Sequence, residues 1–313
     1  MSKNAFSFAV ISDSHLNLDA PELSYWNKWL YAHSCQMLEA AVEEINSRSL
    51  DFVVHCGDLT DKSDTASFQR AAQILSNLKC PFYFVSGNHD TYYPNLRELA
   101  AELFQYESPT LYRAVKFGGW RLLLIDSAYW WYKDGSVRDH YDRDKRSEID
   151  GIGIPDFELD WIRQELESDP TTPTICFTHL CMAMRPEYPV GTLAYGKPVL
   201  ERPVRINHYA DRPWGQTLMH MLKAAPGVKA FFYGHMHFHD TLVQDGMLYC
   251  QTGSLIEYPN EPRLVKVDDE CIRVQTLPLS EGKFAELSYL PEWNNQWVAG
   301  RPIDRDRSFP IDG

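Results

Sequence analysis

Apolar residues recur along the chain in two rhythms. Unbroken apolar runs at 6–12 (FSFAVIS), 52–56, 81–86, 121–126 (RLLLID), 174–178 and 229–233 read as short buried strands. Between them, Met37, Leu38, Ala41, Val42 and Ile45 fall at helical spacing and predict a helix over 34–47. Further helices are expected at 65–78 and at 157–167, the latter carrying Leu159, Ile162 and Leu166. Strands alternating with helices need crossover connections, so the expected fold class is α/β with a parallel or mixed buried sheet. After Asp240 the pattern changes to short strands and turns, which predicts a second sheet packed on the first. Two stretches break the rhythm. Residues 130–152 are charged and turn-rich, with Trp130, Trp131 and Tyr132 at their start, and residues 185–213 are rich in proline, glycine and aromatics. Both read as insertions over one edge of the core. Residues 281–313 read as a polar C-terminal tail anchored by Trp293 and Trp297, leaving 1–280 as one folded domain.

Composition narrows the choice of partners. The hydrophobic fraction of 44% over 313 residues is ordinary for a globular core. No apolar run is long enough to span a bilayer, and the N-terminal run is broken by Ser12 and Asp13, so it reads as a strand rather than a signal peptide. The seven cysteines are odd in number, form no CxxC pair and lie mostly in apolar segments, which predicts reduced thiols and a cytoplasmic protein. The net charge of −13 argues against nucleic-acid polymers and anionic membranes as partners. A small anionic substrate at a local cationic centre remains compatible with it.

Chemistry-bearing residues cluster after the apolar runs. The first run ends in Asp13-Ser14-His15, the second leads into Gly57-Asp58-Leu59-Thr60-Asp61, and the third into Gly87-Asn88-His89-Asp90. The run at 174–178 is followed by His179, and that at 229–233 by Gly234-His235-Met236-His237-Phe238-His239. In α/β sheets the carboxyl ends of strands are where ligands sit. If the last stretch is extended, its three alternate histidines share one face. Asp13, His15, Asp58, Asn88, His179, His235 and His237 form a mixed oxygen and nitrogen donor set without thiolate. Such a set suits manganese, iron, zinc or cobalt better than calcium or magnesium. Seven protein donors exceed one open site and fit two metals if one carboxylate bridges them; Asp58, directly after a glycine, is the expected bridge.

Taken in order, D-x-H, G-D-x-x-D, G-N-H-D, a lone His and G-H-x-H resemble the calcineurin-like metallophosphoesterase superfamily over about residues 6–260. Each motif alone is weak; the ordered set is specific. The resemblance implies an α-β-β-α sandwich of two central mixed sheets flanked by helices, with two divalent transition-metal ions as cofactors. It implies that Asp13, His15, Asp58 and His237 hold one metal, and that Asp58, Asn88, His179 and His235 hold the other. It further implies that His89 lies near the metals as a catalytic acid without binding them, oriented by Asp61. Two such metals would supply a bridging hydroxide as nucleophile and clamp the attacking and leaving oxygens of a phosphoester. Of the other histidines, His239 is expected in a supporting or surface role, His55 in the core, and His208 on the loop surface; Asp90 reads as a turn residue.

The compact spacing is similar to that of the bacterial class III cyclic-nucleotide and glycerophosphodiester phosphodiesterases. Lys62 follows Asp61 where the superfamily's protein phosphatases carry arginine, and GNHD stands where they carry GNHE, which argues against a protein substrate. The expected activity is hydrolysis of a small phosphodiester. The alternatives are a phosphomonoesterase or nucleotide pyrophosphohydrolase on the same site, and a non-catalytic metal-binding scaffold. The aromatic insertions could stack a base, cover a leaving group, or serve as contacts in a homo-oligomer.

Overall fold

The computed structural model describes residues 5–19, 21–183, 193–194, 197–198, 209–280 and 282–311. Most of the stretch 185–213, including Tyr188, Tyr195 and His208, therefore lies outside the described residues.

Two six-stranded sheets form the centre. The strands are β1 (Phe6–Ile11), β2 (Phe52–Cys56), β3 (Phe82–Val85), β4 (Arg113–Phe117), β5 (Trp120–Leu124), β6 (Thr174–Phe177), β7 (Val228–Tyr233), β8 (Asp240–Gln244), β9 (Met247–Gln251), β10 (Arg263–Val267), β11 (Cys271–Thr276) and β12 (Asp306–Pro310). The first sheet runs β12-β11-β10-β1-β2-β3 and the second β8-β9-β7-β6-β5-β4. In the first, β1, β2 and β3 are parallel and β10 to β12 antiparallel. In the second, β5, β6, β7 and β9 are parallel, with β4 and β8 antiparallel at the edges. Both sheets are mixed, as expected.

Side-chain alternation builds the layers. Phe8, Val10, Phe52 and Val54 of the first sheet meet Leu122, Leu124, Phe177 and Phe232 of the second. The Phe8 ring centre lies 5.6 Å from both Phe177 and Phe232. Each such buried ring contributes roughly 1.5–3 kcal/mol of transfer free energy. The alternate residues Ala9, Ile11 and Val53 face outward onto helices α1 (Ser34–Asn46) and α2 (Thr65–Leu75). On the far side, Leu123, Cys176, Phe231 and Tyr249 pack against α4 (Asp156–Ser168) and α5 (Pro213–Ala224); α3 (Leu96–Leu103) adjoins α2. Period-two alternation on strands buried on both faces thus yields the four layers.

Two stretches gain detail. The stretch 130–152, expected as an insertion, is not without structure of its own: Tyr129–Tyr132 pairs with Val137–Arg138 and Ile149–Gly153 in a three-stranded sheet. Its Trp130, Tyr132 and Ile152 are buried among Leu159 and Trp214. Nor is 281–313 only a tail, because β12 pairs with β11 and extends the first sheet. Trp297 does anchor it, 5.1 Å from the Trp26 ring and 5.4 Å from Phe238.

Candidate metal centre

The carboxyl ends of β1, β2 and β3 and those of β6 and β7 lie along one rim of the sandwich, and pairing persists into the loops. The Asp13 amide donates to Gly57 O (3.0 Å), His15 to Asp58 O (2.9 Å), and Gly234 to His179 O (3.1 Å). Five of the seven candidate ligands then turn into the left-handed region: Asp13 (φ 54°), His15 (42°), Asp58 (52°), His235 (75°) and His237 (56°). Such backbone costs on the order of 1 kcal/mol per residue and concentrates at functional sites. Gly57 makes one approach feasible: its φ is 86°, and a Cβ there would stand 2.6 Å from His179 Nδ1. At Gly87 a Cβ would stand 2.2 Å from Asp58 Oδ1.

The loops bring together three groups of donor atoms; the third, His15, Asp61 and His89, shares His15 with the first. In the first, His15 Nε2 lies 3.1 Å from His237 Nε2, and His237 Nε2 lies 3.3 Å from Asp13 Oδ1. In the second, His179 Nε2 lies 3.2 Å from His235 Nδ1 and 3.2 Å from Asn88 Oδ1. Asp58 stands between them: its Oδ2 is 3.5 Å from His15 Nε2 and 3.3 Å from His179 Nε2. Asp13, His15 and His237 offer donor atoms that all lie within 4.8 Å of one another, as do Asp58, His179 and His235. All seven residues singled out in the sequence are therefore within reach of two adjacent points.

Three of the four imidazoles are hydrogen-bonded from behind, and His15 Nδ1 lies 3.5 Å from Asp61 Oδ1. His237 Nδ1 lies 2.6 Å from Glu257 Oε1, a buried carboxylate that also accepts from the Asn27 amide (2.6 Å) and Trp29 Nε1 (3.0 Å). His179 Nδ1 lies 2.8 Å from Cys56 O, and His235 Nε2 lies 2.9 Å from the Tyr209 hydroxyl. The Trp29 ring centre is 4.4 Å from His15 and 5.0 Å from His237. Such outer contacts fix ring orientation and decide which nitrogen faces inward.

His89 stands at the rim with 26% of its side chain exposed. Its amide donates to Asp58 Oδ1 (2.7 Å), and its Nδ1 lies 2.9 Å from the Asp61 carbonyl. The Asp61 carboxylate is farther from the same nitrogen, at 3.3 Å, because it is shared: Asn17 Nδ2 (2.7 Å) and the Tyr31 hydroxyl (3.0 Å) donate to it. With Nδ1 engaged, Nε2 is the ring nitrogen left for a substrate.

Electrostatics show a pocket that calls for cations. Burial opposes ionisation of Asp58, yet His179, His89 and His15 hold its pKa well below the ordinary carboxylate range. Burial disfavours protonated His237, but Asp13 and Glu257 carry its pKa up to about 10. His179 likewise rises to about 9 against burial, through Asp58 and Asp13. His235 falls to about 3 through burial and the neighbouring His179. Protons thus bind where the carboxylates demand positive charge, and divalent cations would take over that role. The buried 3.1 Å approach of His15 Nε2 to His237 Nε2 also fits a cation, which both nitrogens could ligate once deprotonated. The donor set therefore fits two transition-metal ions.

His239 does not join its two neighbours. The strand ends at Tyr233, and the positive φ at His235 and His237 replaces the extended stretch in which all three would align. His239 is fully buried elsewhere, accepting from the Gly253 amide (2.9 Å) and lying 3.8 Å from Glu261. His55 is in the core, 2.8 Å from the Ser14 hydroxyl. Asp90 is more than a turn residue: buried, it accepts from the amides of Leu59, Thr60 and Gly87, tying two ligand loops together. Burial and Asp58 raise its pKa to about 7. Sequence reasoning missed Glu257, Asn17, Tyr31 and the contact of Tyr209 with His235. None sits in a motif; only their polar character within apolar surroundings marks them.

Comparison with known proteins points the same way. Residues 6–239 match the family profile described as calcineurin-like phosphoesterase. A probable cyclic nucleotide phosphodiesterase of Synechococcus sp. is 27% identical over 174 residues, 55% of this chain and 57% of that protein. The 3′,5′-cyclic adenosine monophosphate phosphodiesterase of Escherichia coli K12 is 23% identical over 184 residues, 54% of this chain and 53% of that protein. The chain thus spans little more than half the length of these two curated relatives. Among solved structures, a dimetal phosphatase from Danio rerio superposes with a TM-score of 0.68 at 14% identity, covering 98% of this chain and 99% of that one. A purple acid phosphatase from yellow lupin gives 0.53 at 14% identity, covering 89% of this chain and 52% of that one. With the profile spanning most of its length, the chain belongs to the calcineurin-like phosphoesterase family.

Proposed function

We propose that this chain is a phosphodiesterase for a small-molecule substrate, with Asp13, His15, Asp58 and His237 holding one cation and Asp58, Asn88, His179 and His235 the other. The observation that carries the reading is the placement of Asp58 Oδ2 between the two groups, 3.5 Å from His15 Nε2 and 3.3 Å from His179 Nε2. When bound, two such ions make water a strong nucleophile at neutral pH and neutralise charge on a phosphoryl group. The chain's own residues supply the rest. The Asp13 and Asp58 carboxylates balance part of the ions' charge, while neutral Asn88 binds without cancelling any, so the centre keeps a net attraction for phosphate. His89, held through Nδ1 by the Asp61 carbonyl, presents Nε2 to a phosphoryl oxygen or to the leaving oxygen and can donate a proton there.

A diester is favoured over a monoester because curated relatives are named as cyclic-nucleotide phosphodiesterases. The seven free cysteines fit a reducing compartment. No described helix is long and apolar enough to cross a membrane. The test is a substrate panel on manganese-loaded protein: bis(p-nitrophenyl) phosphate, p-nitrophenyl phosphate and 3′,5′-cyclic AMP. Faster turnover of the diesters is expected. Turnover of the monoester alone would overturn the diester assignment, and no turnover of any would overturn the enzymatic reading.

A further inference from the structure

Beside His89 opens a cleft of about 1140 Å³ that no motif marks. It begins at Lys62, next to Asp61, and runs between Tyr92–Tyr93 and the segment Arg143–Glu148. The Tyr92 ring is 5.2 Å from His89, which places the cleft's inner end against the rim of the metal centre. Two features of its lining are unusual for this molecule.

The first is charge. The chain carries a net −13, yet Lys62, Arg143 and Arg146 all line this one cleft and all three are exposed. Among the described residues no carboxylate forms an ion pair with any of the three, whereas Arg138, Lys145 and Arg163 each have one. The carboxylate that does line the cleft, Asp142, is already engaged by Arg138 and by the Asp144 amide. His140 is paired with Asp139. Three cations at one place in an acidic protein, with no carboxylate partner among the described residues, create a local anion-binding field.

The second is aromatic. Tyr92, Trp130 and Tyr141 form a packed wall, with ring centres 5.0–6.1 Å apart. Trp130 is pinned by its Nε1 donating to Thr91 Oγ1 (2.9 Å), and Tyr141 by its amide donating to Thr91 O (2.8 Å). Thr91 follows the Asn88-His89-Asp90 loop, so the wall is fixed to the catalytic rim. Tyr93, 52% exposed, adds a free aromatic face on the cleft's edge. A rigid aromatic wall with an exposed ring suits a planar base.

We infer that this cleft, bounded by Lys62, Arg143, Arg146 and the Tyr92–Tyr93–Trp130 wall, binds the organic portion of the substrate, and that this portion is a nucleotide carrying a phosphate beyond the one attacked. The inference rests on the metal centre binding a phosphoryl group, as proposed above. It moves the substrate toward the nucleotide pyrophosphohydrolase alternative on the same metal centre: simple diesters remain probes of that centre, but a cyclic nucleotide or glycerophosphodiester has one anionic group and leaves the three cations unused. A nucleoside diphosphate derivative places one phosphate at the metals and the next toward the cleft, with its base against the aromatic wall. Guanidinium groups are suited to phosphate because they donate in a planar fork.

The test is calorimetric titration of manganese-loaded protein with ADP and with AMP, which differ by one phosphate. The wild type is expected to bind ADP at least about tenfold more tightly, the scale of one charge-assisted phosphate contact. In Arg143→Ala/Arg146→Ala the ratio falls to within about twofold while AMP affinity is kept, and Arg143→Lys/Arg146→Lys restores part of it. Equal affinities in the wild type, or an unchanged ratio in the alanine variant, would overturn the inference. Hydrolysis of bis(p-nitrophenyl) phosphate by the same samples separates the two proposals. Hydrolysis with no preference for ADP removes only the cleft assignment; a preference for ADP without hydrolysis removes only the enzymatic reading.

Discussion

Asp13, His15 and His237 are closed off from solvent, whereas His235 and Asn88 in the other half of the centre are partly exposed. The backing differs in the same sense. Behind the first half stand two carboxylates, Asp61 and Glu257, and the Trp29 ring covers both imidazoles. Behind the second half stand a carbonyl, Cys56 O, and a hydroxyl, that of Tyr209. A carboxylate behind an imidazole raises its basicity and locks its ring; a neutral acceptor does so less strongly. The first half is therefore the more enclosed and the more strongly backed, and its His15 ring lies 4.6 Å from His89. The second is the more open, and a cation held there is expected to be the more readily exchanged.

The largest break in this comparison is expected from Asp58→Asn, because Asp58 serves both halves. Hydrolysis should fall by more than about a thousandfold and bound metal, read by elemental analysis, should drop below two per chain. Next in size is His89→Ala, which should keep both metals while kcat/KM falls by about 10²–10⁴, as for loss of a proton donor. Loss of metal in that variant would show His89 to be a ligand instead.

Glu257→Gln sharpens the contrast between the halves. It should weaken the tighter of two metal-binding steps by about 10–100-fold, measured by titration against a competing chelator. Tyr209→Phe acts on the other half and should weaken only the looser step, by about two- to tenfold, since it removes one neutral hydrogen bond. If Glu257→Gln altered the looser step instead, the assignment of halves would be reversed.

The sequence carried most of the centre because its donors follow buried strands. Unbroken apolar runs at β1, β2, β3, β6 and β7 fixed where each rim loop begins, so Asp13, Asp58, Asn88, His179 and His235 could be placed at one edge. The path of the loops was not legible. Alternation suggested three aligned histidines, but positive φ at His235 and His237 turns the chain and sends His239 into a different buried network. Glu257 was invisible because it reaches His237 across twenty residues of chain that fold back through β8 and β9. The strand β12 escaped notice because it buries only Phe309, too little for a period-two pattern. Helix α5 begins at Pro213, at the end of a proline-rich stretch that read as irregular, although proline suits the first helical turn.

Anomalous diffraction at the manganese edge, from crystals grown with manganese, tests the central claim most directly. Two peaks are expected roughly 3.5–4 Å apart, one among Asp13, His15 and His237, the other among Asn88, His179 and His235, with the Asp58 carboxylate touching both. A single peak, or two peaks that Asp58 does not join, would contradict the account.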